Sequence, residues 1–358
     1  MHDPHDPHDA RTDRAAGALY GLALGDALGM PTQIMSRSAI AARFGRVTGF
    51  AAGPPDNPVA AGLPAGSITD DTDQALIVGR LLTGSGGRID PERFAHALLE
   101  WEAGMKAKGS LDLLGPSTKA ALDAVARGVP TQEAGRTGTT NGAAMRVTPV
   151  GVAFPVQPLE AFVDRVVESC QVTHDTTIGI AGAAAVAAAV SSAVAGAPLD
   201  EAMDAAEAAA EAGARRGNWV AGADIAARIR WARATVAGLD PDDEATVETI
   251  SKLIGTSVAS QESVPAAFAV LALAGDDPWR CCLLAANLGG DCDTIGAIAG
   301  AVAGAVAGLR GLPADAVATL RSVNGLDLEP LTAALLALRD TCPAAPVAAG
   351  ARPDGGDA

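Results

Sequence analysis

The stretch from Thr176 to Leu199, "TTIGIAGAAAVAAAVSSAVAGAPL", runs without a single charge. By length it could cross a bilayer. It is mostly Ala, Gly and Ser, however, which drive membrane insertion far less than Leu, Ile or Phe. Ala is the best helix former, so the run reads as a helix apolar on every side. Such a helix needs a dry place, and the core of a helical protein supplies one. A second uncharged run, Thr294 to Leu309, is too short to span. Its Gly296, Gly300, Gly304 and Gly308 recur every four residues and make one smooth face. A neighbouring backbone can approach that face closely, which outside a membrane is a packing device.

The rest of the chain agrees with an all-α fold. Aromatics are only 3% of the 358 residues, and the apolar residues do not alternate as strands require. The first helix is read in "RTDRAAGALYGLALGDALG", with Asp13 as its N-terminal acid and Gly29-Pro31 as its end. Residues 44–68 are dense in Gly, Pro and Asn and read as a long loop, of the kind that carries function or moves. A helix follows from about Asp71, and others are expected at 91–107, 116–127, 158–171, 176–194, 199–214, 222–237, 244–255, 263–274, 277–287, 294–309, 313–323 and 329–338. No linker or charge block divides the chain. One domain is therefore expected over 14–340, between disordered tails at 1–13 and 341–358.

Charge and cysteines narrow the partners. A net charge of −16 without a basic stripe argues against nucleic acid. No apolar leader opens the chain, and no membrane partner is expected. Five cysteines in no framework spacing fit free thiols in a reducing cytoplasm. Cys281 and Cys282 read as core, and Cys292 among aspartates is a poor zinc set.

Two acidic clusters carry the chemistry. In "SITDDTDQAL", Asp70, Asp71 and Asp73 crowd a helix start. Ser67 or Thr69 could cap that helix, and one acid in its first turn would favour the dipole. More acids than capping needs repel one another unless a cation lies between them. In "NLGGDCDTIGAIAG", Asp291 and Asp293 lie two apart, and Thr294 starts another helix. If the two helices pack together, carboxylates and hydroxyls converge as hard oxygen ligands for Mg²⁺, Mn²⁺ or Ca²⁺. Elsewhere, Thr137 to Arg146 offers small residues and backbone amides of a phosphate-cradling kind, and His174 lies next to a long helix.

Together with "GALYGLALGDALGMPTQ", "GTTNGAAMRVTPVGV" and "VTHDTTIGIAGAAAVAAAV", these motifs resemble the ADP-ribosylglycohydrolase family, in the family order and over about residues 14–338. The resemblance implies a compact orthogonal multi-helix bundle with two Mg²⁺ or Mn²⁺ ions at the base of a cleft. It implies that Thr69, Asp70 and Asp71 bind one side of the pair, Asp291 and Thr294 the other, with Asp293 bridging and Asp70, Asp71 and Asp293 catalytic. It also makes Gln33, Asn141, Gly142 and His174 substrate contacts. The expected reaction is attack of water on the anomeric carbon of a ribosyl substrate, linked to protein or small. Many relatives that act on ADP-ribosylated serine or arginine carry Glu where Gln33 stands, and an amide cannot be a general base. That departure, with few aromatic platforms for adenine, keeps a second reading open: an N-glycosidase for a smaller ribosyl compound. A bulk, crystallin-like use of the fold expects eroded acids, and here they all stand.

Overall fold

The uncharged run folds as the helix Thr177–Ala195, in which every residue from Ile178 to Ser191 is buried. Thr176 caps its N-terminus by accepting from the Gly179 amide at 3.0 Å, and Gly196 ends it in the left-handed conformation. Helices Thr148–Ala153, Leu159–His174, Leu199–Gly213, Ser260–Ala274 and Cys292–Ala307 pack around it. It has the length and composition of a membrane span, but its apolar surface is spent on these neighbours. The computed structural model describes residues 7–111 and 114–341; they form mostly α-helices joined by turns and by one long loop between Phe44 and Asp70, with no strand among them. The sheet-like contacts among them are two isolated bridges, Thr140 with Ala259 and Thr176 with Asn218.

The closest packing is between the first helix, Pro7–Gly29, and the helix Cys292–Ala307. The Gly296–Gly304 face meets a matching stripe, Gly17, Gly21 and Gly25, that the sequence analysis had not singled out. A methyl group built on Gly21 would stand 2.1 Å from the Gly300 carbonyl, and one on Gly25 1.9 Å from that of Gly296. No side chain fits there, so the two backbones touch. This approach sets Gly29, at the end of the first helix, beside Asp293 at the start of the other.

Element boundaries differ from expectation in several places, and the short helices Thr131–Ala134, Gly142–Met145 and Thr148–Ala153 were not expected. The first helix begins at Pro7, so residues 7–13 are helical and not a loose tail. Asp9 and Asp13 lie 2.9 and 3.6 Å from Arg310, and Arg11 lies 2.8 Å from Asp340, which ties that turn down. Residues 1–6 and 342–358, the remainder of the two expected tails apart from Thr341, lie outside the described residues. A helix Arg37–Phe44, capped by Ser36, precedes the long loop and was not foreseen. The helix expected over 244–255 is an α-helical turn, Glu244–Thr249, continued by a π-helical one, Ile250–Ile254.

Candidate active site

Both acidic clusters lie at helix N-termini, as their sequences require. Asp70 opens the helix Asp70–Gly84, and Asp291 is the N-cap of the helix Cys292–Ala307. The two helices bring Asp70, Asp71, Asp291, Asp293 and Thr294 to one cleft of about 250 Å³. Thr294 Oγ1 stands 3.3 Å from Asp71 Oδ2, across more than two hundred residues of chain. Asp71 and Asp293 are buried, while Asp70 and Asp291 are half-buried.

Backbone hydrogen bonds fix the acidic loop. The Asp291 amide donates to the Thr256 carbonyl at 2.7 Å, the Gly290 amide to Met35 at 2.9 Å, and the Ile34 amide to Gly290 at 2.6 Å. Gly290 has a positive φ of 70°, and a Cβ there would stand 2.3 Å from the Thr256 carbonyl. Only glycine satisfies both demands. Ile34, on the cleft wall, has a φ of 64°, a strained conformation for a β-branched side chain, and is 56% exposed.

Crowding shifts the acids. Burial raises the pKa of Asp71 well above the usual carboxylate range, and the charges of Asp293, Asp26, Asp70 and Asp291 raise it further. Burial likewise raises Asp291, against the pull of Asn141 and Thr294. One Asp71 oxygen, Oδ1, is buried with no hydrogen-bond partner. A desolvated, repelling carboxylate group of this kind costs free energy unless a cation joins it. Among the described residues no three of these side chains stand at metal-ligand spacing as they are placed. Gln74 donates to Asp70 at 2.8 Å, and Asn141 Nδ2 donates to Asp291.

Several expected site residues take other places. Thr69 does not line the cleft and does not cap its helix through its side chain. Its amide lies 3.0 Å from both oxygens of Asp26, and its hydroxyl donates to Asp26 at 2.8 Å. Asp73 turns away and accepts from the Trp101 indole at 2.8 Å. His174 does not line the cleft either; it is wholly buried behind Thr140, because its ring is held between two threonine hydroxyls. Arg146 does not line the cleft, being buried among Gln74, Thr173 and the Phe94 ring. The Gly142–Met145 segment is a short buried helix, not an open amide cradle. Gln33, Asn141 and Gly142 do line the cleft, and so do Gly115, Pro116 and Thr118 of the "GPST" turn.

Asp26 was not among the residues expected at the site. It is fully buried and accepts from the amides and hydroxyls of both Thr69 and Thr72. Burial raises its pKa to about 6, and those four donors hold it from rising more. A signal was present: Asp26 is the lone charge in the apolar run from Ala15 to Ser36, and a lone acid on a buried face needs a partner.

The sequence profile of the family described as ADP-ribosylglycohydrolase matches residues 7–344. The uncharacterized protein YegU of Escherichia coli K12 is 38% identical over 92% of this chain and 98% of its own. The ADP-ribosyl-[dinitrogen reductase] glycohydrolase of Rhodospirillum rubrum is 30% identical over 41% of this chain and 47% of its own. A solved structure described as an ADP-ribosylglycohydrolase-related protein complex superposes with a TM-score of 0.66 at 28% identity, over 92% of this chain and 99% of that one. With an all-α fold, acids at two helix starts and a profile that spans nearly the whole chain, this protein belongs to the ADP-ribosylglycohydrolase family of hydrolases.

Proposed function

We propose that this protein is a divalent-metal-dependent hydrolase of the glycosidic bond between ADP-ribose and a protein side chain or small acceptor. The observation that carries the reading is the convergence of Asp70, Asp71, Asp291 and Asp293 on one cleft, with a buried Asp71 oxygen lacking a hydrogen-bond partner. Hard oxygens with this much negative charge fit Mg²⁺ or Mn²⁺. Asp70 and Asp71 would hold one ion, Asp291 and Thr294 a second, and Asp293 would bridge them. Thr69 would join the first, since its proton is committed to Asp26 and its oxygen lone pairs are left for a ligand. When bound, such ions lower the pKa of water and polarise sugar hydroxyls.

The chain's own groups supply the rest. Asp70, half-buried on the cleft wall, would take a proton from water attacking the anomeric carbon. Ile34, Val59, Leu114, Met145 and Val258 give the cleft an apolar part against which a sugar face can pack. Gln33 and Asn141 orient the sugar by hydrogen bonds. A reducing cytoplasm suits the four buried free thiols Cys170, Cys281, Cys282 and Cys292.

A specific observation favours a smaller N-riboside as the second reading. Among the described residues lining the cleft there is no aromatic ring to stack on adenine and no Lys or Arg to meet a diphosphate. The cleft volume, about 250 Å³, is at the low end for a site that encloses a drug-sized ligand. The test is release of free ADP-ribose from an ADP-ribosylated protein, with Mg²⁺ or Mn²⁺ and with EDTA, beside a panel of N-ribosides. Turnover of the protein substrate only with metal supports the first reading, and turnover confined to N-ribosides supports the second. If nothing turns over and no divalent ion raises the melting temperature, the hydrolase reading fails.

A further inference from the structure

Behind the cleft wall runs an unbroken chain of buried polar side chains. Arg146 Nη2 donates to Thr173 Oγ1. Thr173 Oγ1 lies 2.7 Å from His174 Nδ1, and His174 Nε2 lies 3.0 Å from Thr140 Oγ1. Thr140 is half-buried and lines the cleft. Arg146, Thr173 and His174 are all 0% exposed. In the other direction, Arg146 Nη1 donates to Gln74 Oε1 at 2.8 Å, which leaves the Gln74 amide nitrogen to donate to Asp70.

The proton positions follow from one end. A guanidinium can only donate. Thr173 therefore accepts from Arg146, and its own single proton must go to His174 Nδ1. The opposite arrangement would leave the Thr173 hydroxyl proton buried with no acceptor. His174, accepting at Nδ1, carries its proton on Nε2 and donates to Thr140. Thr140 Oγ1 then accepts from inside, so its own proton turns outward. Burial and the Arg146 charge hold the His174 pKa well below its ordinary value, so the ring is neutral and has one proton to place. Arg146 itself is pushed down by burial to about 10 and stays charged at neutral pH.

We infer that Arg146, Thr173 and His174 form a positioning relay that fixes the Thr140 hydroxyl as a hydrogen-bond donor into the cleft, aimed at an accepting oxygen of the substrate. Such an oxygen belongs to a phosphate or to the sugar, whose ring oxygen and hydroxyls all accept. The ligand half of this inference rests on the ribosyl reading above. The relay itself does not. The Thr140 backbone is rigid enough to aim a proton: Ser260 Oγ donates to its carbonyl at 2.8 Å, and the next amide, Asn141, donates to Val258 at 2.9 Å. The relay also explains Gly142, where a Cβ would press to 3.0 Å of the His174 ring.

Two measurements test it. Protein labelled with ¹⁵N-histidine, with His174→Gln to assign the signal, is examined by NMR at about pH 7. A neutral ring protonated at Nε2 is expected; an Nδ1-protonated ring or an imidazolium overturns the relay. Binding is then read by thermal shift with ADP-ribose, ribose 5-phosphate and ribose, in Mg²⁺. Thr140→Val should weaken the ligands that shift wild type by about tenfold, and Thr140→Ser should restore them. Arg146 variants are expected to unfold the protein, so Thr173→Val carries the remote arm. Although Thr173 is outside the cleft, Thr173→Val should weaken the same ligands, and the double variant should be no worse than Thr140→Val alone. Additive losses, or wild-type affinity in Thr140→Val, refute the proposed donor. Loss confined to the phosphorylated ligands identifies a phosphate oxygen; loss with ribose as well identifies an oxygen of the sugar. If none of the three ligands shifts wild type, the ribosyl reading fails and the donor's target with it, while the NMR result still decides the relay.

Discussion

The glycine seam between the first helix and the helix Cys292–Ala307 and the acidic cleft at one end of it are built on opposite terms. Along the seam there are no side chains, so two backbones meet and every atom has a neighbour. In the cleft there are four carboxylates, one of them with an oxygen that has no hydrogen-bond partner, and a loop residue, Ile34, in a strained conformation. The first region gains stability from contact, and the second loses it to desolvation and repulsion. They share residues: Gly29 of the first helix packs against Asp293, so close that a Cβ there would stand 2.4 Å from its Cα. The rigid seam holds the unfavourable cluster in place, which is how a site can keep charges that would otherwise move apart.

That contrast can be broken from the cleft side first. Asp293→Asn should reduce metal-dependent turnover by about a thousandfold, as losses of a central electrostatic group do. Its unfolding midpoint without metal should stay or rise, because one repelling charge is gone; a large fall would show Asp293 to be a structural residue.

Breaking the seam should act on stability. Gly25→Ala must displace the Gly296 carbonyl and is expected to cost about 3 kcal/mol, read by denaturant unfolding. Gly104, within the exposed side of the helix Pro91–Ala107, is the control, since a Cβ there meets nothing. Gly104→Ala should stabilise by about 0.5–1 kcal/mol. Equal effects at both positions would dismiss the seam as a special contact.

The pH dependence sharpens the contrast. Asp26, raised to about 6, and Asp71 and Asp291, also raised, bind protons more tightly folded than unfolded. Their contribution to stability is fully present below the unfolded pKa, near 4, and is lost as pH rises through the folded values. In EDTA the protein should therefore gain on the order of 2 kcal/mol as pH falls from about 7.5 to about 5.5. The depressed His174 opposes this below its usual pKa, equally with and without metal. The difference between melting curves in EDTA and in Mg²⁺ isolates the acids, and it should shrink as pH falls. A difference that is constant with pH argues against ions among these carboxylates.

The smallest effect is expected at Gln33, whose Nε2 is buried without a hydrogen-bond partner on the cleft wall. Gln33→Glu adds an acceptor and a charge. It should favour cationic leaving groups by about tenfold in kcat/KM and leave the fold unchanged. Identical selectivity in the two forms would remove Gln33 from the specificity determinants.

The all-α class followed from the sequence alone, because a charge-free Ala-rich run has one stable conformation and one suitable environment. The two acid clusters were legible for a related reason: too many carboxylates at a helix start are unexplained by capping, and each cluster states its own anomaly locally. What the tertiary structure alone decided were relations between distant segments. The Gly17–Gly25 stripe acquired meaning only beside its partner. Thr69 gives its hydroxyl proton to Asp26, forty-three residues earlier, a pairing that neither segment announces by itself. His174 carried suitable chemistry for substrate contact, yet burial placed Thr140 in front of it. Composition and periodicity report how one segment meets water; which side chain stands between another and the cleft depends on packing across the whole chain, and no local pattern encodes it.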